Sequence, residues 1–202
     1  MKKELAYFKI DQAYGGNQSW FRDPMMKLGG CGAATACDSC IYLALHGNRQ
    51  HLYPNDIHQL SKDSYIQFAM RMKPFLRPRM QGINTLELFV NGFDAYLKQT
   101  NEKKLRLEPL SGDLPYEQAK EAVRKQIDLD LPIPFLLLRH KNYAMRDFVW
   151  HWFLVIGYEE FEDNFQIKVA TYGNYHWLSL KELWNTGYKD KGGMILLTEE
   201  RL

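Results

Sequence analysis

The sequence predicts an α+β fold, and two observations carry that prediction. Up to about residue 128, apolar residues recur at steps of three and four, and capping-type residues open several of the segments. From about residue 129, short aromatic and aliphatic runs are separated by turn-forming or charged residues, which is a strand pattern. A chain of 202 residues with 46% hydrophobic content suffices for one well-buried core. No repeat, low-complexity stretch or long linker divides it, so a single domain is expected over residues 1–202.

The first thirty residues, rich in Gly, aromatics and Asn/Gln, read as an ordered loop. A helix is expected over 31–45, with Ala34, Cys37, Ile41 and Leu45 on one face and Gly47-Asn48 ending it. Helical pattern resumes over 56–72. It returns over 85–100, where Leu86, Phe89, Phe93 and Leu97 form a stripe and Asn84 with Glu87 resembles a capping box. A fourth helix is expected over 116–127, with Asp113 before it, Pro115 in its first turn and Ala119, Ala122, Val123 and Ile127 on one side. Strands are expected over 133–139, 149–158, 165–171, 175–180 and 194–197, with a hairpin between Tyr158 and Phe165.

A formal net charge of +2 gives no electrostatic reason to expect a nucleic-acid or membrane partner. The one local excess of positive charge, over 71–79, carries two prolines and reads as a solvated loop. Three cysteines within ten residues cannot build a disulfide framework. Met1-Lys2-Lys3-Glu4-Leu5-Ala6 has no signal-peptide apolar core, and no window approaches the roughly 18 apolar residues of a membrane span. A soluble protein of the reducing cytoplasm is the expectation.

Within this frame, two residues far apart in sequence carry chemistry. Gly29-Gly30-Cys31-Gly32-Ala33-Ala34-Thr35-Ala36 places a thiol at a helix start, where unpaired N–H groups and the positive end of the macrodipole favour thiolate. His151 opens the apolar run His151-Trp152-Phe153-Leu154-Val155-Ile156-Gly157-Tyr158, whose two faces are both apolar, so the strand is buried and its imidazole needs a partner. A thiol and an imidazole brought together make a nucleophile and its general base.

This arrangement resembles the papain-like cysteine peptidases, and most closely their compact bacterial branch related to the C39 peptidases, in which Gly and small residues follow the nucleophile as in Cys31-Gly32-Ala33-Ala34. The order of elements from Ala119 to Leu197 also follows that branch. The resemblance implies a helical N-terminal half, about 1–128, packed on a C-terminal antiparallel sheet, about 129–202, with the active site between them. It implies that Cys31 attacks a carbonyl carbon and that His151 takes the thiol proton and returns it to the leaving group. It also implies a thiol depressed to about 3.5–7.5 by its ion pair and helix end. The oxyanion would be held by the Cys31 backbone N–H and a Gln upstream of the nucleophile.

Gln18 is the candidate donor. It lies thirteen residues before Cys31, farther than in the family, so residues 19–26 would loop out; Asn17 and Gln12 are alternatives. The family orients the His with an Asn or Asp on the following strand. Here that position falls at Ala170 or Thr171, leaving the Thr171 hydroxyl, or Asn174 reaching back from a turn, as candidates. The expected activity is hydrolysis of an amide, peptide or isopeptide bond in a peptide or small amide substrate, through a Cys31 thioester, with no cofactor or metal. Acyl transfer on the same fold and a degenerate binding protein are the alternatives.

Other residues admit plainer readings. Cys37 and Cys40 read as small apolar core residues, although Cys37-Asp38-Ser39-Cys40 spells Cys-x-x-Cys, with His46 and His51 the only imidazoles near it. His140 is the reserve base, while His58 and His176 suit surface or packing. Trp20, Phe21, Trp150 and Trp152 suit either a substrate cleft or ordinary core.

Overall fold

Small residues let the Cys31 helix run through the middle of the molecule. In the computed structural model, which describes residues 1–199, helix α2 (Cys31–His46) is buried on nearly every side, not only along one stripe. Its Gly, Ala, Ser, Thr and Cys side chains allow neighbours to approach from all directions, so it has no solvated face to generate an amphipathic pattern. It starts abruptly. Gly30 ends α1 (Pro24–Gly29) and begins α2, and a Cβ there would lie 2.3 Å from the Met26 carbonyl oxygen, so only glycine fits this junction. Asp23 caps α1 by accepting from the Met26 N–H, with Pro24 at the first helical position.

The remaining helices follow the expected stripes, with corrected ends. Helix α3 (Lys62–Met72) begins later than the pattern suggested, at a Ser61–Ser64 capping box. Helix α4 (Leu86–Gln99) is capped by Thr85, whose Oγ1 accepts from Leu88 N–H, and not by Asn84 with Glu87. In α5 (Tyr116–Asp128), Pro115 itself occupies the cap position. Helix α6 (Leu180–Trp184) is a single turn. The basic stretch over 71–79 is only partly a solvated loop: it includes the end of α3, Leu76 is buried, and Lys73 Nζ lies 2.5 Å from Asp23 Oδ2.

A seven-stranded antiparallel sheet packs against α2. It comprises β4 (Leu105–Ser111), β9 (Gly192–Glu199), β5 (Ile133–Leu137), β6 (His151–Phe161), β7 (Asn164–Thr171) and β8 (Asn174–Ser179) in that order, and β1 (Lys2–Glu4) pairs with the far end of β6. The molecule is therefore α+β with a mostly antiparallel sheet, but the helical half is not purely helical. Strands β1 and β4 come from before residue 128, as does the small hairpin of β2 (Lys9–Ile10) and β3 (Ala13–Tyr14). Strand β4 is an edge strand of mixed exposure containing Pro109, and carries neither alternation nor a continuous apolar run. The first thirty residues are thus a folded clamp of short elements and not a loop.

Strand β6 is the spine. It pairs with β5 over its first five residues, with β1 farther on, and with β7 along its other edge, where a register shift between Val155 and Gly157 breaks strict alternation. At Gly157 a Cβ would stand 2.9 Å from the Lys3 carbonyl oxygen, so glycine lets β1 close on the spine. Gln126 on α5 joins the sheet through its amide: Nε2 donates to Leu197 O and Oε1 accepts from Leu197 N, both at 3.0 Å. No helix among the described residues is long and apolar enough to cross a membrane.

Candidate active site

Cys31 and His151 line one groove at the junction of α2 with the sheet. Each is 5% exposed, and the groove is a cleft of about 460 Å³ whose wall also includes Gln18, Tyr172 and residues 80–82. Beneath it lies a cavity of about 20 Å³ shared by Cys31, His151, Gln18, Asp38 and Thr171, large enough for about one water molecule. The strand order explains the convergence. Leu137 on β5 pairs with His151, so the imidazole sits at the mouth of the β5–β6 ladder, where α2 presents its first residue.

The His151 ring is held at both nitrogens. Nε2 lies 2.6 Å from Thr171 Oγ1, and Nδ1 lies 3.3 Å from Tyr172 Oη. Tyr172 also stacks on the imidazole, with centroids 4.5 Å apart and planes 4° from parallel. Of the two candidates for contacting the ring, the Thr171 hydroxyl is the one within hydrogen-bond reach. Asn174 does not reach the ring: it is exposed, and its Oδ1 accepts from Tyr175 N–H at the start of β8. A two-residue hairpin accounts for both placements. Tyr172 and Gly173 have φ of +52° and +71°, the left-handed pair of a type I′ turn, and this turn folds Tyr172 over the imidazole while sending Asn174 up the next strand.

Burial, not charge, sets the protonation of the pair. Desolvation raises the Cys31 thiol above its ordinary value, although the backbone N–H groups of Trp152, Gly32 and Cys31 oppose this. Desolvation also lowers His151 to about 4. The resting couple is therefore neutral thiol and neutral imidazole. The anticipated low-pKa ion pair is corrected: at this depth the cost of burying two charges exceeds what the helix end contributes. Among the described residues no hydrogen bond joins Cys31 Sγ to the ring.

Gln18 lies at the site as expected, but the chain reaches it differently. Residues 19–26 do not loop out; a 3₁₀ turn (Gln18–Trp20) and α1 fill the interval, and Gln18 Nε2 donates to the Lys27 carbonyl at 2.8 Å. Its Oε1 is buried without a partner among the described residues. Asn17 is committed elsewhere, accepting from Ser19 N–H and donating to the Tyr172 carbonyl, and Gln12 is exposed in the β2–β3 turn. His140 is no base for Cys31, because Nε2 lies 2.9 Å from Glu182 O and Nδ1 accepts from Asn142 N–H. Of the four aromatics, Trp150 lines the groove. Trp152 is buried against Phe89, with its indole N–H on the Ile83 carbonyl, and Trp20 and Phe21 pack on Tyr65. Cys37 and Cys40 are free, fully buried thiols. Among the described residues no cluster of three His, Cys, Asp or Glu side chains is placed to hold a metal ion.

No family model matches the chain, and no curated protein matches it.

Three contributors went unnoticed in the sequence. Tyr172 had one signal, its place before Gly173 in a turn. Residues 80–82 had none, since a close approach between distant segments brings them in: Trp152 bonds Ile83, and Arg79 O would lie 3.0 Å from a Cβ on Gly29. The third is Asp38, two turns along α2 from Cys31. It accepts from Tyr7 Oη at 2.6 Å and from Gly16 N at 3.1 and 3.2 Å, and burial raises it to about 6. Gly16 O accepts from Gly173 N–H, so Asp38 anchors the loop that connects Gln18 with the Tyr172–Gly173 turn.

Proposed function

We propose that the protein is a cysteine hydrolase of papain-like type, related in architecture to the C39-like branch, that cleaves an amide, peptide or isopeptide bond through a thioester on Cys31. The observation that carries this reading is the shared crevice: a thiol at the first residue of a helix and a His oriented at Nε2 by Thr171, both lining one groove. With Nε2 engaged, Nδ1 is the nitrogen that faces proton transfer.

In this mechanism Cys31 Sγ attacks the carbonyl carbon as its proton passes to His151 Nδ1. Tyr172 gives way as the ring turns toward sulfur; hydrogen bonds at such sites are often loose before substrate binds. The Cys31 N–H at the helix start and the second Nε2 hydrogen of Gln18 stabilise the oxyanion. His151 then protonates the leaving amine, and water resolves the thioester. The buried, unpartnered Gln18 Oε1 is suited to accept from a substrate N–H, which favours amides over esters.

Iodoacetamide labelling followed by peptide mass spectrometry tests this. Cys31 should be modified in the native protein while Cys37 and Cys40 are spared, and His151→Ala should slow the modification. Equal, slow labelling of all three thiols would sink the proposal. One observation favours a second reading, a binding protein that has lost catalysis: the resting pair is neutral and not hydrogen-bonded. Full retention of biological function in Cys31→Ala would select it.

A further inference from the structure

We propose that Arg139 recognises a carboxylate on the acyl substrate of Cys31, so that the enzyme selects anionic over neutral substrates. The inference rests on Cys31 being the nucleophile and specifies what that nucleophile acts on.

Arg139 follows β5 directly, two residues beyond the Leu137 that pairs with His151, and it lines the same groove as Cys31. Its guanidinium carbon sits 5.4 Å from the Trp150 ring centroid and 5.9 Å from that of Tyr188. Both rings are partly exposed, Trp150 at 43% and Tyr188 at 39%. Aromatic faces hold a guanidinium by cation–π attraction while leaving its N–H edge free, whereas a carboxylate partner would occupy that edge. No ion pair or hydrogen bond engages the Arg139 side chain among the described residues. Lys141 is the other cation at Tyr188, its Nζ 5.9 Å from the same ring centroid, but it does not line the groove.

Among the described residues no Asp or Glu lines the groove, and Arg139 is the one Lys or Arg that does. An unspent guanidinium, held planar beside an apolar wall, matches the two-oxygen fork of a carboxylate better than a point charge would. The substrate class that fits is a peptide or acyl amide bearing a carboxylate close to the bond that Cys31 attacks.

Two alkylating reagents of nearly equal size, anionic iodoacetate and neutral iodoacetamide, read this preference at Cys31 itself. Their rates on Cys31 are compared in the native protein, in Arg139→Gln and in Lys103→Gln, an exposed lysine outside the groove that controls for net charge. The iodoacetate-to-iodoacetamide rate ratio should fall about tenfold in Arg139→Gln, stay unchanged in Lys103→Gln, and shrink toward the variant's value as salt is raised. The iodoacetamide rate in each variant is the reference for its ratio, so a change in thiol reactivity common to both reagents cancels. A ratio that does not move in Arg139→Gln, or moves equally in both variants, overturns the carboxylate assignment while leaving Cys31 as nucleophile. If neither reagent labels native Cys31 although both label the unfolded chain, the nucleophile reading fails and this assignment fails with it.

Discussion

Thr171 sets a single hydroxyl against a buried imidazole. Its Oγ1, 2.6 Å from His151 Nε2, fixes the ring's orientation without adding a charge to a buried site. A neutral partner cannot hold an imidazolium as a carboxylate does, which accords with the His151 value near 4. Thr171→Val leaves Nε2 buried without a partner, a loss of about 1–3 kcal/mol. The expected outcome is Cys31 alkylation slowed about tenfold to a hundredfold, with Thr171→Ser restoring most of the rate. Because burial raises the thiol, the alkylation rate of the native protein should keep climbing from pH 7 through 9. A plateau reached below pH 7 would instead mean a preformed thiolate. Both residues stood out in the sequence because their local setting, a helix start and a strand following the His, is written in adjacent residues. Arg139 and Tyr172 did not, because only the fold brings them into the groove.

At the scale of elements, the site depends on a clamp built from the N-terminal segment. Asp38 on α2 holds Gly16; Gly16 O accepts from Gly173 N–H, Gly173 O accepts from Tyr14 N–H, and Asn17 donates to Tyr172 O. These bonds link the Cys31 helix to the hairpin that covers His151. Asp38→Ala should accelerate amide hydrogen exchange at Gly16 and Gly173 well beyond that of β6, whereas Asp38→Asn, which keeps an acceptor oxygen, should protect them more. Uniform exchange across the clamp in both variants would mean that Asp38 does not anchor it. The α5–β9 junction behaves similarly: Gln126 takes the place of a neighbouring strand for Leu197. Gln126→Leu orphans both backbone groups and should lower stability by about 2–4 kcal/mol in a urea titration, from two buried unsatisfied groups. The helices with solvated faces were legible from their stripes. Helix α2 was placed correctly but misread as one-sided, and β1 to β4 were missed because two- to seven-residue strands with mixed exposure leave no periodic trace.

At the scale of the whole molecule, two buried groups oppose each other in the dependence of stability on pH. His151, lowered from 6.5 to about 4, contributes stability that is present above pH 6.5 and lost as pH falls through 4. Asp38, raised from 3.8 to about 6, contributes stability that is present below pH 3.8 and lost as pH rises through 6. At 1.36 kcal/mol per pH unit, each amounts to about 3 kcal/mol, and over pH 4–6 they nearly cancel. Urea titrations across that range should therefore show stability rising steeply with pH in Asp38→Asn, where only the His151 contribution remains. In His151→Gln stability should fall with pH. Identical slopes in the two variants would refute this opposition.

The sequence by itself determined the four long helices and the five C-terminal strands, where α2 begins and that Cys31 opens it, because capping, glycine placement and apolar spacing act over a few neighbouring residues. Only the tertiary structure decided that His151 is clasped by Thr171 and Tyr172, that the couple rests uncharged, and that Arg139 overlooks the groove. Those outcomes depend on strand order, a type I′ turn and burial, which arise when segments more than a hundred residues apart pack together.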